Sequence, residues 1–258
     1  EQGLYGNQLL CERDVLKELN LENPKESHLL DMGCGRGRIA YHFATETGGR
    51  VSGYNIDADQ LDSAISWADE CSMSEQLHYK VGNHHEPLDY DSETFDGCYS
   101  FQAVWPFFKK EELDSHAKEM YRVLKPGARY GCSEYLLTPH FDWNDEEHVA
   151  LQKSFLPTLA ATQSMYPAHV CAALERAGFT IILSAPSKGV AWPICEQKRD
   201  LILLARKAIR ALEKIGLMPP WVEESLDLLQ TGGEAWTVAE KAKIADLNWR
   251  IVAEKPAS

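Results

Sequence analysis

The sequence predicts an α/β fold, in which a Rossmann-like sheet of seven strands, parallel up to residue 185, carries helices on both faces and a helical cap near the C-terminus. Short apolar runs and helical patterns alternate from about residue 9 to residue 185, which is typical of a sheet built from strand–helix–strand units. After residue 185 two helical patterns follow each other, and a last extended run closes the chain. A length of 258 residues accommodates one domain of this kind.

Seven apolar runs, bounded by turn residues, are the strand candidates. They are residues 28–32, 50–55, 77–81, 95–101, 129–135, 179–185 and 246–254. Helical periodicity predicts helices at 38–47, 58–71, 111–124 and 167–177, and two more at 194–215 and 221–229 after a loop at 186–189. We therefore expect a core at 1–185, a helical substrate cap at 186–245 inserted before the last strand, and a final strand and tail at 246–258.

The charge balance bears on the class of partner. A formal net charge of −13 repels a phosphate backbone, so nucleic acid is not expected as a partner. No apolar run reaches the ~18 residues of a spanning helix, and no signal pattern opens the chain, so we expect a cytoplasmic protein without an integral membrane segment. Seven scattered cysteines without a CxxC pair indicate neither a disulfide framework nor a metal site. The expected partner is a small-molecule substrate, and a homodimer is compatible with the sequence.

The strongest local signal is the run Leu-Leu-Asp-Met-Gly-Cys-Gly-Arg-Gly-Arg at 29–38, where an apolar strand ends in a glycine turn and a helix begins. Gly33, Gly35 and Gly37, with Cys34 between them, let a ligand approach the main chain and the free N–H groups of the helix start. The alternative is a plain tight turn. The spacing is G-x-G-x-G, and Asp31 just before it would repel a pyrophosphate, so the motif favours the cationic S-adenosylmethionine over a dinucleotide.

Polar residues also follow the next three strands. Because the carboxyl ends of parallel strands meet at one edge, they are candidates for holding the rest of this cofactor. Asn55 is expected to bind the ribose hydroxyls, and Asn83 the adenine amino group, although a simple turn asparagine is an equal alternative for Asn83. The adjacent His84 and His85 could serve metal or acid/base chemistry, and the alternative is a solvated pair. The remaining candidate cofactor residues at these strand ends are Ile56, Gln60, Gly82, His84 and Gln102.

With these positions laid out, the chain resembles the sterol 24-C-methyltransferase family of class I S-adenosylmethionine-dependent methyltransferases. The matching stretches are 30–35, 53–55 with Gln60, 94–96, 121–127, 134–135, 212–217 and 252–256. The resemblance implies a Rossmann-like methyltransferase sheet with a C-terminal substrate cap. It also implies methyl transfer from S-adenosylmethionine, which leaves S-adenosylhomocysteine.

The chain departs from that family after the fourth strand. Gln102 and Pro106 stand where the family has an acidic residue and a histidine near the sterol pocket. The departure favours a terpenoid or polyketide-derived secondary metabolite over a sterol as substrate. It also keeps an alternative open, in which the same fold catalyses a cyclisation or isomerisation without net methyl transfer. A non-catalytic binding protein is a third reading, because fold alone does not establish catalysis.

Four residues are the candidates for the chemistry. If a carbon–carbon double bond is the nucleophile, aromatic faces and a buried carboxylate would stabilise the carbocation, which points to Trp105, Tyr135 and Glu134. Core packing is the alternative for each aromatic residue. If a hydroxyl or amine is the nucleophile, a general base is needed, and His140, His84 or Glu134 are available. We expect C-methylation rather than O- or N-methylation.

Overall fold

The structure, a computed structural model, describes residues 4–186, 199–219 and 221–257. Its strands are β1 (His28–Met32), β2 (Arg50–Asn55), β3 (Leu77–Val81), β4 (Phe95–Phe101), β5 (Leu124–Leu137), β6 (Thr180–Ala185) and β7 (Ala245–Glu254). They form one seven-stranded sheet in the order β3-β2-β1-β4-β5-β7-β6. The predicted number of strands is confirmed, and the bounds of the first four are those expected from the sequence.

The sheet is mixed, because its last strand in the chain runs against its neighbours. The strands β1 to β5 pair in parallel, whereas β7 pairs antiparallel with both β5 and β6. Ala245, the first residue of β7, lies opposite Leu137, the last residue of β5. The chain thus enters β7 from the carboxyl edge of the sheet, where the preceding helix ends, and can only run back across it.

The described helices are α1 (Leu4–Glu18), α2 (Arg38–Thr47), α3 (Ala58–Glu70), α4 (Leu113–Val123), α5 (Glu146–Phe155), α6 (Pro167–Ala177), α7 (Arg199–Lys214) and α8 (Trp221–Lys241). Four short 3₁₀ turns lie between them. The sequence did not predict α1 or α5, and it ended α8 twelve residues too early, at 229 instead of 241. Most of the predicted loop at 186–189 and the first residues of the predicted helix at 194–215 lie outside the described residues.

Alternate residues of β1 point to opposite faces of the sheet and pack into two separate cores. Leu29 packs with residues of α1, α2 and α3 on one face, and Leu30 and Met32 pack with residues of α4 and α6 on the other. Helices therefore cover both faces, as expected. Within the described ranges, no helix combines the length and the apolar character that crossing a membrane requires.

A third core lies at the carboxyl edge of the sheet, where β5, still paired with β7, extends past β4. Tyr135 from β5, Phe155 from α5 and Trp236 from α8 meet in pairwise edge-to-face contacts with ring centroids 4.9–5.6 Å apart. Gly232 lets α8 come close, because a Cβ there would lie 2.0 Å from Thr158 Cγ2. The helix α8, which follows β6 in the chain, thus packs against α5, a helix that follows β5.

Candidate functional site

The turn after β1 has a backbone conformation and close neighbours that favour glycine. Gly33, Gly35 and Gly37 all have left-handed backbones, with φ of +74°, +54° and +79°. A Cβ on Gly33 would lie 2.3 Å from Ala103 Cβ, and one on Gly37 would lie 2.3 Å from Tyr79 Oη. Ala103, in the loop after β4, and the Tyr79 side chain of β3 therefore pack closely against the turn. Gly35 differs, because its nearest neighbour is the flexible Gln60 Oε1, 3.4 Å from a Cβ there.

Asp31 is a buried acid with an unused oxygen. It lies next to Tyr99 in the register of β1 and β4, and both side chains are buried. Neither Asp31 Oδ2 nor the Tyr99 hydroxyl has a hydrogen-bond partner among the described residues. Burial raises the pKa of Asp31 to about 7, although the neighbouring Tyr99 hydroxyl and the Arg38 charge partly offset that rise. A buried oxygen without a partner costs stability, so a positively charged ligand at this turn would have a favourable interaction to gain.

The end of β2 places a polar pair next to the glycine turn. Asn55 is buried, and its Nδ2 donates to Gln60 Oε1 at 3.3 Å. Gln60 lies in the first turn of α3, whose N-cap Asp57 accepts a hydrogen bond from the Gln60 N–H at 3.0 Å. The amide of Asn55 thus keeps its oxygen as an acceptor for a hydroxyl group. Gly35, Asn55 and Gln60 line one side of the carboxyl edge.

The end of β3 lies beside that pair. The Gly82 N–H donates to the Asn55 carbonyl oxygen at 2.9 Å. Asn83 Oδ1 accepts a hydrogen bond from the His85 N–H at 3.0 Å. This oxygen thus stabilises the local turn, as expected for a simple turn asparagine. Ile56 has 60% of its surface exposed, which makes it an open apolar face beside these polar groups.

His84 belongs to an aromatic cluster rather than to open solvent. It packs against Phe108 and lies 6.3 Å, between ring centroids, from the buried His116 of α4. Burial lowers the pKa of His84 to about 4 and that of His116 to about 3, so both rings are neutral at physiological pH. Neither nitrogen of His116 has a hydrogen-bond partner in the part of the chain that is described.

The ends of β4 and β5 are joined by a chain of buried hydrogen bonds. Trp105 Nε1 donates to the Tyr130 hydroxyl at 2.8 Å, which in turn lies 2.8 Å from Ser100 Oγ. Ser100 Oγ donates to Glu134 Oε1 at 2.7 Å, and the Ala103 N–H donates to Glu134 Oε2 at 3.1 Å. Burial raises the pKa of Glu134 to about 7. Glu134 therefore fixes the backbone that packs against Gly33.

Gln102 turns away from the glycine turn, toward the last strand. Its backbone is left-handed, with φ of +52°, and its Nε2 donates to Asn248 Oδ1 at 3.0 Å and to the Leu247 carbonyl oxygen at 3.3 Å. The Gln102 N–H donates to the Ser133 carbonyl oxygen at 3.0 Å. The residue thus ties the loop after β4 to β5 and β7, and a cofactor contact would need this amide to be shared.

The four candidates for the chemistry are not brought together. Glu134 and Trp105 share the buried network, whereas Tyr135 points into the third core and its hydroxyl lies 2.9 Å from Ser164 Oγ. His140 lies in an exposed loop, where its N–H donates to Thr138 Oγ1 at 3.2 Å. Their catalytic roles stay predictions.

Sequence reasoning missed a contribution from α1. Glu12 is buried, accepts hydrogen bonds from both terminal nitrogens of Arg38, and lies 2.7 Å from His42 Nδ1. Glu12 lies in α1, whereas Arg38 is the first residue of α2, directly after the glycine turn, and His42 follows one turn later. The acid and the arginine are 26 positions apart, so the sequence carried no signal for the pair. The neighbouring positions of Asp31 and Tyr99 follow once β1 and β4 are taken to be adjacent strands.

Together these residues suit a ligand with a cationic group and a nucleoside. Asp31 offers a buried carboxyl group at the glycine turn, Asn55 an acceptor for hydroxyl groups, and Ile56 an apolar face for a planar base. The first turn of α2 adds the N–H groups of a helix N-terminus. The residues present therefore fit the cofactor that the glycine spacing predicted.

Comparison with known sequences agrees with the geometry. Residues 29–127 match a family described as a methyltransferase domain. The sterol 24-C-methyltransferase erg-4 of Neurospora crassa is 26% identical over 254 residues, which cover 90% of this chain and 66% of that protein. The methyltransferase phqN of Penicillium fellutanum is 30% identical over 154 residues, which cover 60% of this chain and 46% of that protein. The chain thus spans less than two thirds of the length of these curated relatives.

Comparison with solved structures supports the fold. The geranyl diphosphate C-methyltransferase of Streptomyces coelicolor A3(2), solved with Mg²⁺, geranyl diphosphate and S-adenosyl-L-homocysteine, superposes with a TM-score of 0.72 at 15% identity. The match covers 96% of this chain and 80% of that one. The sheet order, the mixed strand directions and the helices beyond the carboxyl edge are therefore those of a methyltransferase fold.

Proposed function

We propose that the chain, which is similar to sterol 24-C-methyltransferases, is an S-adenosylmethionine-dependent methyltransferase acting on a small, largely apolar molecule. The observation that carries the proposal is Asp31, a buried carboxylate whose Oδ2 has no partner in the described structure and which directly precedes three left-handed glycines. An unsatisfied anion at a glycine turn is the complement of a ligand that carries an amine and a sulfonium.

The ends of β1 and β2 would hold the cofactor. Asp31 would face the ammonium of the amino-acid end, with Gly33 and Gly35 allowing close approach of the backbone. Asn55 would accept from the ribose hydroxyls, and Ile56 would pack against the adenine ring. When bound, S-adenosylmethionine supplies a methyl group that is already activated by the sulfonium. The chain's own residues are thereby left with binding, orientation and the exclusion of water.

The third core supports an apolar substrate. Tyr135, Phe155 and Trp236 are buried in this core beside the carboxyl edge, where parallel sheets of this kind bind their substrates. We propose that the helices at 186–245 form a substrate cap together with α5, which packs against α8. Two polar atoms meet at the wall of this core, because Ser164 Oγ lies 2.9 Å from the Tyr135 hydroxyl and accepts from Gln152 Nε2 at 2.8 Å.

The same arrangement favours carbon as the methyl acceptor. Methylation of a hydroxyl or amine needs a base beside the reacting atom. Glu134 accepts from Ser100 and Ala103, and His140 lies at the surface. The names of two of the similar proteins, a sterol 24-C-methyltransferase and a geranyl diphosphate C-methyltransferase, support the same choice. We propose C-methylation of a terpenoid or polyketide-derived compound.

Isothermal titration with S-adenosylhomocysteine tests the cofactor. We expect one site per chain, and loss of binding in Gly35→Val with an unchanged circular dichroism spectrum, because Gly35 has φ of +54° and contacts only Gln60 Oε1. Absence of binding by the unmodified protein would refute the proposal. Mass spectrometry of the products then separates the reactions: a gain of one methylene supports methyl transfer, and an unchanged mass supports the cyclisation alternative.

A further inference from the structure

A charged cluster lies where α1 crosses the start of α2. The Glu12 side chain is only 3% exposed, yet it carries hydrogen bonds from Arg38 on one side and from His42 on the other. Burial by itself raises the pKa of Glu12, but the hydrogen bonds from His42 and Arg38 outweigh it and hold this pKa below its ordinary value. Glu12 is therefore an ionised acid that the fold keeps buried and bonded.

Arg38 is thereby fixed in one place. Its Nη1 donates to Glu12 Oε2 at 3.1 Å, and its Nη2 donates to Glu12 Oε1. A guanidinium carries five N–H groups in a rigid fork, of which this contact uses two. The Arg38 side chain keeps 41% of its surface exposed, so it remains accessible at the first residue of α2. An arginine held by a buried acid loses little conformational entropy when it binds a second anion.

Asp31 lies within electrostatic reach of the same cluster. The Arg38 charge lowers the pKa of Asp31 and the Glu12 charge raises it, while Asp31 Oδ2 itself is buried and has no partner in the described ranges. One glycine turn therefore presents an unpartnered carboxylate, an accessible guanidinium and the N–H groups of a helix start. This combination complements a zwitterion, whose ammonium and carboxylate are a few bonds apart.

We propose that Arg38, held by Glu12 of α1, receives the α-carboxylate of the amino-acid end of S-adenosylmethionine. Arg38 is a cofactor-binding residue in this inference, and Glu12 is a positioning residue that acts through it. The inference rests on the proposed function and adds α1 to the cofactor site.

Arg36 is the competing cation. It lies inside the glycine turn, is exposed, and makes no hydrogen bond or ion pair with another described residue. A free arginine side chain has to lose about 2 kcal/mol of rotamer entropy before it can clamp a carboxylate. Arg38 has already lost that freedom to Glu12, so the structure favours Arg38.

Isothermal titration with three ligands distinguishes how the carboxylate and the amine each contribute to affinity. S-adenosylhomocysteine carries both the amine and the carboxylate, S-adenosyl-3-thiopropylamine lacks the carboxylate, and 5′-methylthioadenosine lacks both. We expect Arg38→Gln to weaken the binding of S-adenosylhomocysteine about 30-fold, because a charge-assisted bidentate contact is lost. The affinities of the other two ligands should change less than about twofold. Arg36→Gln serves as the matched control, with all three affinities retained.

A second set of variants tests Glu12. We expect Glu12→Ala to weaken S-adenosylhomocysteine about fivefold, and to have no further effect in an Arg38→Gln background, because two residues that act through one contact are not additive. Asp14→Ala is the matched control on the same helix, since Asp14 accepts a hydrogen bond from Arg250 of β7 at 3.2 Å. Retained binding of 5′-methylthioadenosine shows that each variant is folded.

The outcomes are distinct. Equal losses for S-adenosylhomocysteine and S-adenosyl-3-thiopropylamine in Arg38→Gln would overturn the inference, as would a loss in Arg36→Gln instead. Tighter binding of S-adenosylhomocysteine by Glu12→Ala would show that Glu12 competes for Arg38 rather than positioning it. If the unmodified protein binds none of the three ligands, the proposed function itself is wrong.

Discussion

The glycine turn and the β4–β5 junction each bury a carboxylate, and they treat it in opposite ways. Burial raises the pKa of Asp31 and of Glu134 to about 7 in both places. Glu134 accepts from Ser100 Oγ and from the Ala103 N–H, whereas Asp31 Oδ2 has no partner in the described structure. At the junction both carboxylate oxygens accept hydrogen bonds, and the network fixes the backbone at Ala103. At the turn one carboxylate oxygen is unsatisfied, and a bound ligand would satisfy it.

The two regions also touch, since Ala103, held by Glu134, packs against Gly33. The largest effect is therefore expected from Gly33→Val, whose Cβ would lie 2.3 Å from Ala103 Cβ on a backbone with φ of +74°. We expect loss of S-adenosylhomocysteine binding and a fall of about 3 kcal/mol or more in the free energy of unfolding.

Gly216→Val is the matched control for that variant. Gly216 has φ of +73° and no atom within 4 Å of a Cβ, so it carries the backbone strain without the clash. A fall of about 1–2 kcal/mol is expected there, measured by urea unfolding. Equal losses in the two variants would show that the contact with Ala103 has no importance.

Exchange of the two carboxylates for amides tests the contrast directly. We expect Asp31→Asn to weaken S-adenosylhomocysteine about 10-fold or more with little loss of stability, because no hydrogen bond to Oδ2 is broken. Glu134→Gln should lower the free energy of unfolding by about 1–3 kcal/mol, because an amide N–H₂ cannot accept from both Ser100 and Ala103. Titration and urea unfolding of both variants measure these effects. A large loss of turnover in Glu134→Gln at unchanged stability would instead support its predicted catalytic role.

The pH dependence sharpens the same comparison. The pKa of Asp31 is raised to about 7, so the folded protein prefers the protonated acid, and ionisation reduces stability as the pH rises from the unfolded pKa of about 4 toward 7. A cationic ligand prefers the ionised acid. Affinity for S-adenosylmethionine should therefore rise about ninefold from pH 6 to pH 8, as the ionised fraction of Asp31 grows from about a tenth to about nine tenths. Titrations at both pH values should show this rise in Glu134→Gln and a flat response in Asp31→Asn.

The smallest effects on stability are expected for two buried indoles, one hydrogen-bonded and one without a hydrogen-bond partner among the described residues. Trp105 Nε1 donates to Tyr130, whereas Trp236 Nε1 has no partner among the described residues. Trp105→Phe should cost about 1–3 kcal/mol more than Trp236→Phe, because it leaves the Tyr130 hydroxyl without its donor. Thermal unfolding of both variants measures the difference. Equal costs would indicate that ring volume, and not hydrogen bonding, sets the stability at both positions.

The local patterns of the chain predicted much of the fold. The bounds of β1 to β4 and of α2 and α6 follow from apolar runs and helical periodicity, which depend on nearby residues. The antiparallel direction of β7 did not follow, because it depends on where the chain leaves the cap. The full length of α8 was also missed, since glycine is unfavourable in an isolated helix, whereas Gly232 allows close packing against Thr158 here.

The candidate site divides in the same way. The sequence by itself determined the glycine turn with Asp31, because left-handed glycines and a preceding acid are encoded by adjacent residues. Tertiary structure alone decided that Glu12 would hold Arg38, that Glu134 would support Ala103, and that Tyr135 would face Phe155 and Trp236. Hydrogen bonds and ring contacts act over a few ångströms in space, and residues far apart in the chain carry no local pattern that announces them.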